Sequence, residues 1–204
     1  MTRDKDLHHE RIIEAAMAEF LEYGFKDASM RRIASAVGMS ASGLYKHFAG
    51  KEDMFAALVD PAINGFIALY REIEEDYFRE LANIETDGLW LDRRETIRSM
   101  EYIYDHFDTF KLIICRSQGT KYESFIHDMA EIEEDATICY LEQLGKKGIK
   151  INTINKKELH LLVTANIEAI FQTVAHDFSR EEAGHYAESL EVFYLPAWKA
   201  LFGL

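Results

Sequence analysis

The residues best suited to chemistry lie between Ser29 and Lys51, in the run SMRRIASAVGMSASGLYKHFAGK. Arg31, Arg32, Lys46, His47 and Lys51 supply cations and donors there, and Tyr45 adds an aromatic hydroxyl. Ser40, Ala41, Ser42 and Gly43 are small enough for a backbone to approach a partner closely. Basic, aromatic and small residues on one short helix are what a DNA major groove accepts. The elements that hold them follow from spacing. Ser29 is expected to N-cap a first helix through its hydroxyl, and Ile33, Ala34 and Val37 give that helix an apolar face. Gly38 stands where the helix must stop and turn with positive φ. Ser40 caps a second helix whose Leu44 and Phe48 point inward at i, i+4. Tyr45, Lys46 and His47 fall off that inward stripe.

Upstream, Ile12, Ile13, Ala16, Met17, Phe20 and Leu21 form an amphipathic stripe over residues 7–23, closed by Gly24. This order of elements, RIIEAAMAEFLEYGF followed by SMRRIASAVGMSASGLYKHFAGKEDM, resembles the DNA-binding domain of the TetR family of bacterial transcriptional regulators. Ile13, Ala15, Ala16, Phe20, Gly24, Phe25, Ile33, Ala34, Gly38, Ser40, Leu44, Tyr45, Phe48, Lys51 and Glu52 carry the resemblance. It covers about the first quarter of the chain. It implies an all-α fold: a three-helix N-terminal helix-turn-helix domain (1–50), then a helical bundle for ligand binding and dimerisation (51–204). By resemblance, DNA contact falls to Ser29, Arg31, Ser40, Ala41, Ser42, Gly43, Tyr45, Lys46, His47 and Lys51. Tyr45 and His47 match the family's phosphate-contacting aromatic pair, and Lys51 its phosphate clamp at the start of the fourth helix. Arg31 and Lys46 are the side chains long enough to read base edges.

The net charge of −13 is unevenly spread. Residues 1–50 carry seven Lys/Arg and seven Asp/Glu, while 51–204 carry sixteen against twenty-nine. Within 26–51 five cations face one acid, a footprint suited to phosphate. The acidic remainder disfavours non-specific wrapping and confines contact to the N-terminal face.

Beyond residue 51 the periodicity predicts helices over 51–81, 92–106, 109–116, 122–144, 157–177 and 181–202. Pro61 is expected to kink or split the first near Asp60 and so to act as a hinge, and Pro196 to kink the last. Gly145 is expected to end the 122–144 helix. The polar run KKGIKINTIN reads as a loop. The last two helices are apolar around most of their circumference and need partners on two sides. Internal burial satisfies this, and so does a two-fold four-helix interface through Leu162, Ala169, Phe193 and Trp198. The resemblance implies the second, a homodimer on a palindromic double-stranded operator. It also implies a small-molecule effector cavity. Its candidates are Phe66, Tyr70, Tyr102, Phe107, Phe110, Tyr140 and Asn166, with Trp90 beside them. The aromatics permit an apolar ligand, and the acids of the same helices permit a cationic one.

Other function classes have thinner support. Glu182 and His185 form one Glu-x-x-His, but a di-iron bundle site needs two, and a metal-binding bundle stays only as the alternative reading. A helical protein–protein adaptor is a third. No Ser/His/Asp set, phosphate loop or Cys/His metal spacing occurs, so no enzyme and no cofactor is expected. There is no run of about 18 apolar residues, and the charged start MTRDKDLHHE lacks a signal peptide's core. Cys115 and Cys139 suit a reducing compartment. These features point to a cytoplasmic protein without a membrane partner.

Overall fold

The computed structural model describes residues 2–83 and 95–204; predicted elements and the candidate Trp90 that fall within 84–94 lie outside the described residues. Every regular element described is helical. The helices are α1 (Thr2–Asp27), α2 (Met30–Ala36), α3 (Ala41–Leu44), α4 (Lys51–Asn83), α5 (Glu95–Asp105), α6 (Phe107–Lys111), α7 (Phe125–Lys146), α8 (Lys156–Ala175) and α9 (Arg180–Phe202). A π turn (Leu112–Arg116) follows α6, and a 3-10 turn (Lys121–Ser124) precedes α7.

The chain forms two compact units. The first takes residues 1–65 and 106–124. Its core is a knot of rings: Phe55 meets Phe20 and Phe25 edge-on at 5.1 and 5.5 Å, and Tyr122 lies 5.7 Å from Phe55. Ile12, Ile33, Leu44 and Met54 complete it, each essentially fully buried. Gly24 breaks the helical path of α1 with φ 70° and ψ 169°, a conformation that costs glycine little. The expected stop at Gly24 is thus a kink, and the helix resumes to Asp27.

Ser29 occupies the N-cap position of α2, but its hydroxyl makes no cap bond. The expected side-chain cap is replaced by a long-range partner. Glu19 on α1, only 8% exposed, accepts the Ser29 backbone N–H at 2.7 Å and Arg32 Nε at 2.8 Å. Arg32 Nη2 also donates to the Asp27 carbonyl at 2.7 Å, and its guanidinium lies over the Tyr23 ring at 4.2 Å.

The second unit takes residues 66–105 and 125–204. In it α7 packs on α8 and α5 on α9. Phe66, Phe171, Ile103 and Met100 form its buried centre. Asn155 caps α8 by accepting the Lys157 N–H, and Ser179 caps α9 in a reciprocal capping box with Glu182. The Glu182 carboxylate, the half-motif of the metal alternative, is therefore engaged with Ser179 at 2.7 and 2.8 Å.

Two expectations need correction. Pro61 does not split α4, which runs unbroken from Lys51 to Asn83. Apolar burial of Leu58, Val59, Ala62 and Phe66 on both sides of the proline holds the helix through the missing N–H. α9 is likewise continuous through Pro196. Gly145 does not end α7, which runs to Lys146; the turn falls at Gly148, where φ is +84°. By length and mean hydropathy residues 51–79 reach what a membrane span needs. They place a stripe from Met54 to Ile73 in the protein core instead.

The Glu19 bonds generate a stability prediction. Glu19→Ala should strand the Ser29 N–H and free Arg32, at a cost of about 2 kcal/mol. Thermal melting followed by circular dichroism should show Tm lower by about 4–8 °C, with Glu19→Gln falling between.

Candidate nucleic-acid interface and cavity

The first unit brings the sequence-predicted contact residues together around α2 and α3. Gly38 has φ +71° and makes the turn between them, its N–H bonded to the Ser35 carbonyl at 3.1 Å. Ser40 caps α3 as expected, accepting the Gly43 N–H at 3.1 Å, and its hydroxyl pairs with that of Ser42 at 3.2 Å. After Leu44 the chain tightens: Lys46 N–H reaches the Gly43 carbonyl and His47 N–H that of Leu44. Leu44 and Phe48 are buried, and Tyr45, Lys46 and His47 are exposed. Gly43 has a packing reason to be glycine. A Cβ there would lie 3.3 Å from Ser40 Oγ and 3.4 Å from Met39 Cε.

The basic residues divide into two kinds. Arg31 and Lys46 are exposed and make no hydrogen bond or ion pair with the described residues. Arg32 is tied to Glu19, which lies outside the 26–51 window, so the cationic excess of this face is smaller than the sequence count. Lys51 is turned onto its own chain. Its ammonium donates to the carbonyls of Lys26 at 2.8 Å and Ala28 at 3.3 Å and sits 4.8 Å from the Phe25 ring. These bonds tie the start of α4 to the end of α1. His8 and His9, near the start of α1, pack beside the reading segment. His8 meets His47 edge-on at 6.3 Å, and His9 stacks on Phe48 at 6.0 Å. Their positions one turn ahead of the Ile12 stripe were the available signal.

A profile described as "Bacterial regulatory proteins, tetR family" matches residues 12–58, the span just described. That segment is a TetR-family DNA-binding domain. It is similar to an HTH-type transcriptional regulator of Staphylococcus aureus, 35% identical over 77 residues, which is 38% of this chain and 42% of that protein. A second S. aureus HTH-type transcriptional regulator is 24% identical over 177 residues, covering 79% of this chain and 95% of the other. In fold the chain is similar to NalD, the secondary repressor of the MexAB-OprM multidrug efflux pump in Pseudomonas aeruginosa. That likeness has a TM-score of 0.63 at 15% identity and covers 98% of each chain. The matched segment is thus a DNA-binding helix-turn-helix of the kind found in these transcriptional regulators.

Within the second unit the chain encloses a cavity of about 530 Å³, a size that suits a drug-like molecule. Of the sequence candidates, Tyr70, Tyr140 and Asn166 line it. Phe66 is instead core, ringed by Tyr70, Tyr102 and Phe171. Tyr102 is half-buried away from the lining, and Phe107 and Phe110 belong to the first unit. Four glutamates missed by the aromatic search line it too: Glu74, Glu95, Glu133 and Glu191. Tyr77 donates its hydroxyl proton to Glu95 at 2.6 Å, and Thr137 donates to Glu133 at 3.2 Å. Burial, then the Glu95 charge, push the Glu133 carboxyl up to about 8. Burial and the Glu133 charge hold the Tyr70 phenol well above its ordinary value.

Of the residues expected at a dimer interface, Leu162 and Phe193 are exposed, at 43% and 71%. Leu161 and Val192 beside them are 68% and 77% exposed. Ala169 and Trp198 are half-buried. The Trp198 ring stacks on Phe202 at 5.6 Å and forms part of the cavity wall.

The raised Glu133 carboxyl links stability to pH. The folded state holds that proton more tightly than the unfolded chain does, so its stabilising contribution fades as pH climbs from the ordinary carboxylate range through about 8. Glu133→Gln removes this slope. Its Tm advantage over the wild type should widen between pH 5.5 and 8 by about 3 °C or more, roughly 1 kcal/mol in a chain of this size.

Proposed function

We propose that the chain is a ligand-responsive repressor that occupies a palindromic operator as a homodimer in the cytoplasm and leaves it when a small molecule binds. Residues 1–50 form the reading domain, and 51–204 carry the cavity and the dimer surface. One observation carries the reading. Leu44 and Phe48 anchor a capped segment behind the Gly38 turn while Arg31, Tyr45, Lys46 and His47 stay exposed and available to a groove. Ala41, Ser42 and Gly43 allow close approach, Ser29 and Ser40 flank it, and Arg31 and Lys46 read base edges. The role of Lys51 is to fix the start of α4, where backbone N–H groups meet a phosphate.

The exposed apolar residues of α8 and α9 meet their copies across a two-fold axis, as DNA-reading dimers require for two half-sites about one turn apart or a multiple of it. NalD is described as a repressor, and the same sign of regulation is proposed here. Tyr70, Ile73, Glu74, Tyr77 and Phe78 of α4 line the cavity, and α4 begins at the reading domain. A ligand that prefers one position of this unbroken helix changes operator affinity by that preference alone.

Selection from a random double-stranded library should enrich a palindrome, and affinity for it should fall about a thousandfold or more between 50 and 200 mM salt. Arg31→Ala should relax one position in each half-site by about 1–3 kcal/mol. Arg32→Ala should lower Tm instead, because its guanidinium is tied to Glu19. Failure to enrich any sequence, or a monomer by sedimentation at micromolar concentration, removes the proposal.

A further inference from the structure

The wall of the cavity has an unusual balance of charge. Glu74, Glu95, Glu133 and Glu191 line it, and no Lys, Arg or His does so among the described residues. Arg98, one turn beyond Glu95, pairs with Glu72 and Asp76 instead. The acids alternate with rings from Tyr70, Tyr77, Phe78, Tyr140, Tyr194 and Trp198, whose faces are electron-rich. A second observation is independent of the acids. Ser99 lines the same cavity, is 1% exposed, and its Oγ has no hydrogen-bond partner among the described residues. A buried hydroxyl left without a partner costs free energy unless a guest supplies one.

We propose that the cavity binds an organic cation with an aromatic or apolar body, its charged end held by Glu133 and Glu74 and its hydrogen-bonding group met by Ser99. The inference rests on the reading of this cavity as the effector site. The rings supply dispersion and cation–π attraction to the body. Carboxylates held together in a shielded space repel one another, and a guest cation relieves that repulsion. An anionic or neutral guest of the same shape gains none of this and adds to the repulsion or leaves it in place. Glu133, faced by Tyr70 and Glu74 of α4, Glu95 of α5 and Thr137 of its own helix, is held protonated at neutral pH by burial and by Glu95. A bound cation reverses that bias, so binding expels a proton from the Glu133 carboxyl into solvent.

Three probes with one ring system separate charge from shape: naphthylmethylammonium, naphthylmethanol and naphthylacetate. Calorimetric titration of the full-length wild-type protein should give the cation about tenfold or more tighter than the alcohol, with the acetate weakest. Titration at pH 7 in two buffers of different ionisation heat should show proton release with the cation alone. Glu133→Gln should reduce the cation's preference over the alcohol by about tenfold while the alcohol binds within about twofold of wild type, which shows the cavity intact. The inference is overturned if the alcohol or the acetate binds as tightly as the cation, if none of the three binds, or if Glu133→Gln leaves the preference unchanged. Adding each probe to the protein bound to its selected operator separates this from the release mechanism. Tight cation binding with unchanged operator affinity upholds the cavity assignment and refutes release. Release by the acetate alone upholds release and refutes the cation.

Discussion

A single carboxylate fixes the reading geometry of this protein. Glu19 lies near the middle of α1 and is nearly buried, yet it bonds the chain exactly where α2 begins. Through the Ser29 N–H it sets the start of α2, and through Arg32 it sets the rotation of that helix. The turn at Gly38 and the capped segment after it inherit their position from this contact and from the Ile33 and Leu44 side chains beneath. A negative charge at a helix N-terminus also meets the favourable end of the backbone dipole. Hydrophobic packing holds α2 against α1, but packing is tolerant of rotation, whereas charge-assisted bonds of this kind are directional.

The local rules of the sequence were enough for much of this. Gly38 at positive φ, the Ser40 cap, inward Leu44 and Phe48, and the all-helical architecture each depend on residues within one or two turns, and each is present. What the sequence hid depends on partners farther along the chain. Ser29 has the right residue type for a hydroxyl cap, but its backbone N–H finds a carboxylate ten residues away. Lys51 has the right charge for phosphate, but carbonyls at the end of α1 lie within reach of its ammonium. Pro61 has the right chemistry to break a helix, but apolar burial on both sides outweighs one lost hydrogen bond. The cavity was legible as aromatic and not as acidic, because glutamates on helix faces ordinarily mean solvent. Only the three-dimensional arrangement turns four of them toward a common space.

The helical core divides its work differently from what chain order suggests. Residues 106–124, far from the N-terminus in sequence, contribute Tyr122, whose hydroxyl donates to Asp60 at 2.6 Å, and Phe110 to the first compact unit. The ring cluster around Phe55 therefore draws on α1, α4 and the segment after α6 together. α4 contributes residues to both compact units and is helical through Pro61.

The crowding around Gly43 bears on how such a protein acquires a new target. A side chain at 43 would press on the Ser40 hydroxyl that starts the helix, and a change at 32 would release the anchor on α1. Those two positions are constrained by contacts unrelated to DNA. Tyr45 and Lys46, by contrast, are exposed on the same segment, and Arg31 on the helix before it. Altering these three leaves the supporting contacts untouched. The alphabet in which this scaffold can be rewritten is therefore short, and its letters are decoupled from folding. That separation lets a library confined to three codons explore operator preference with few molecules lost to misfolding.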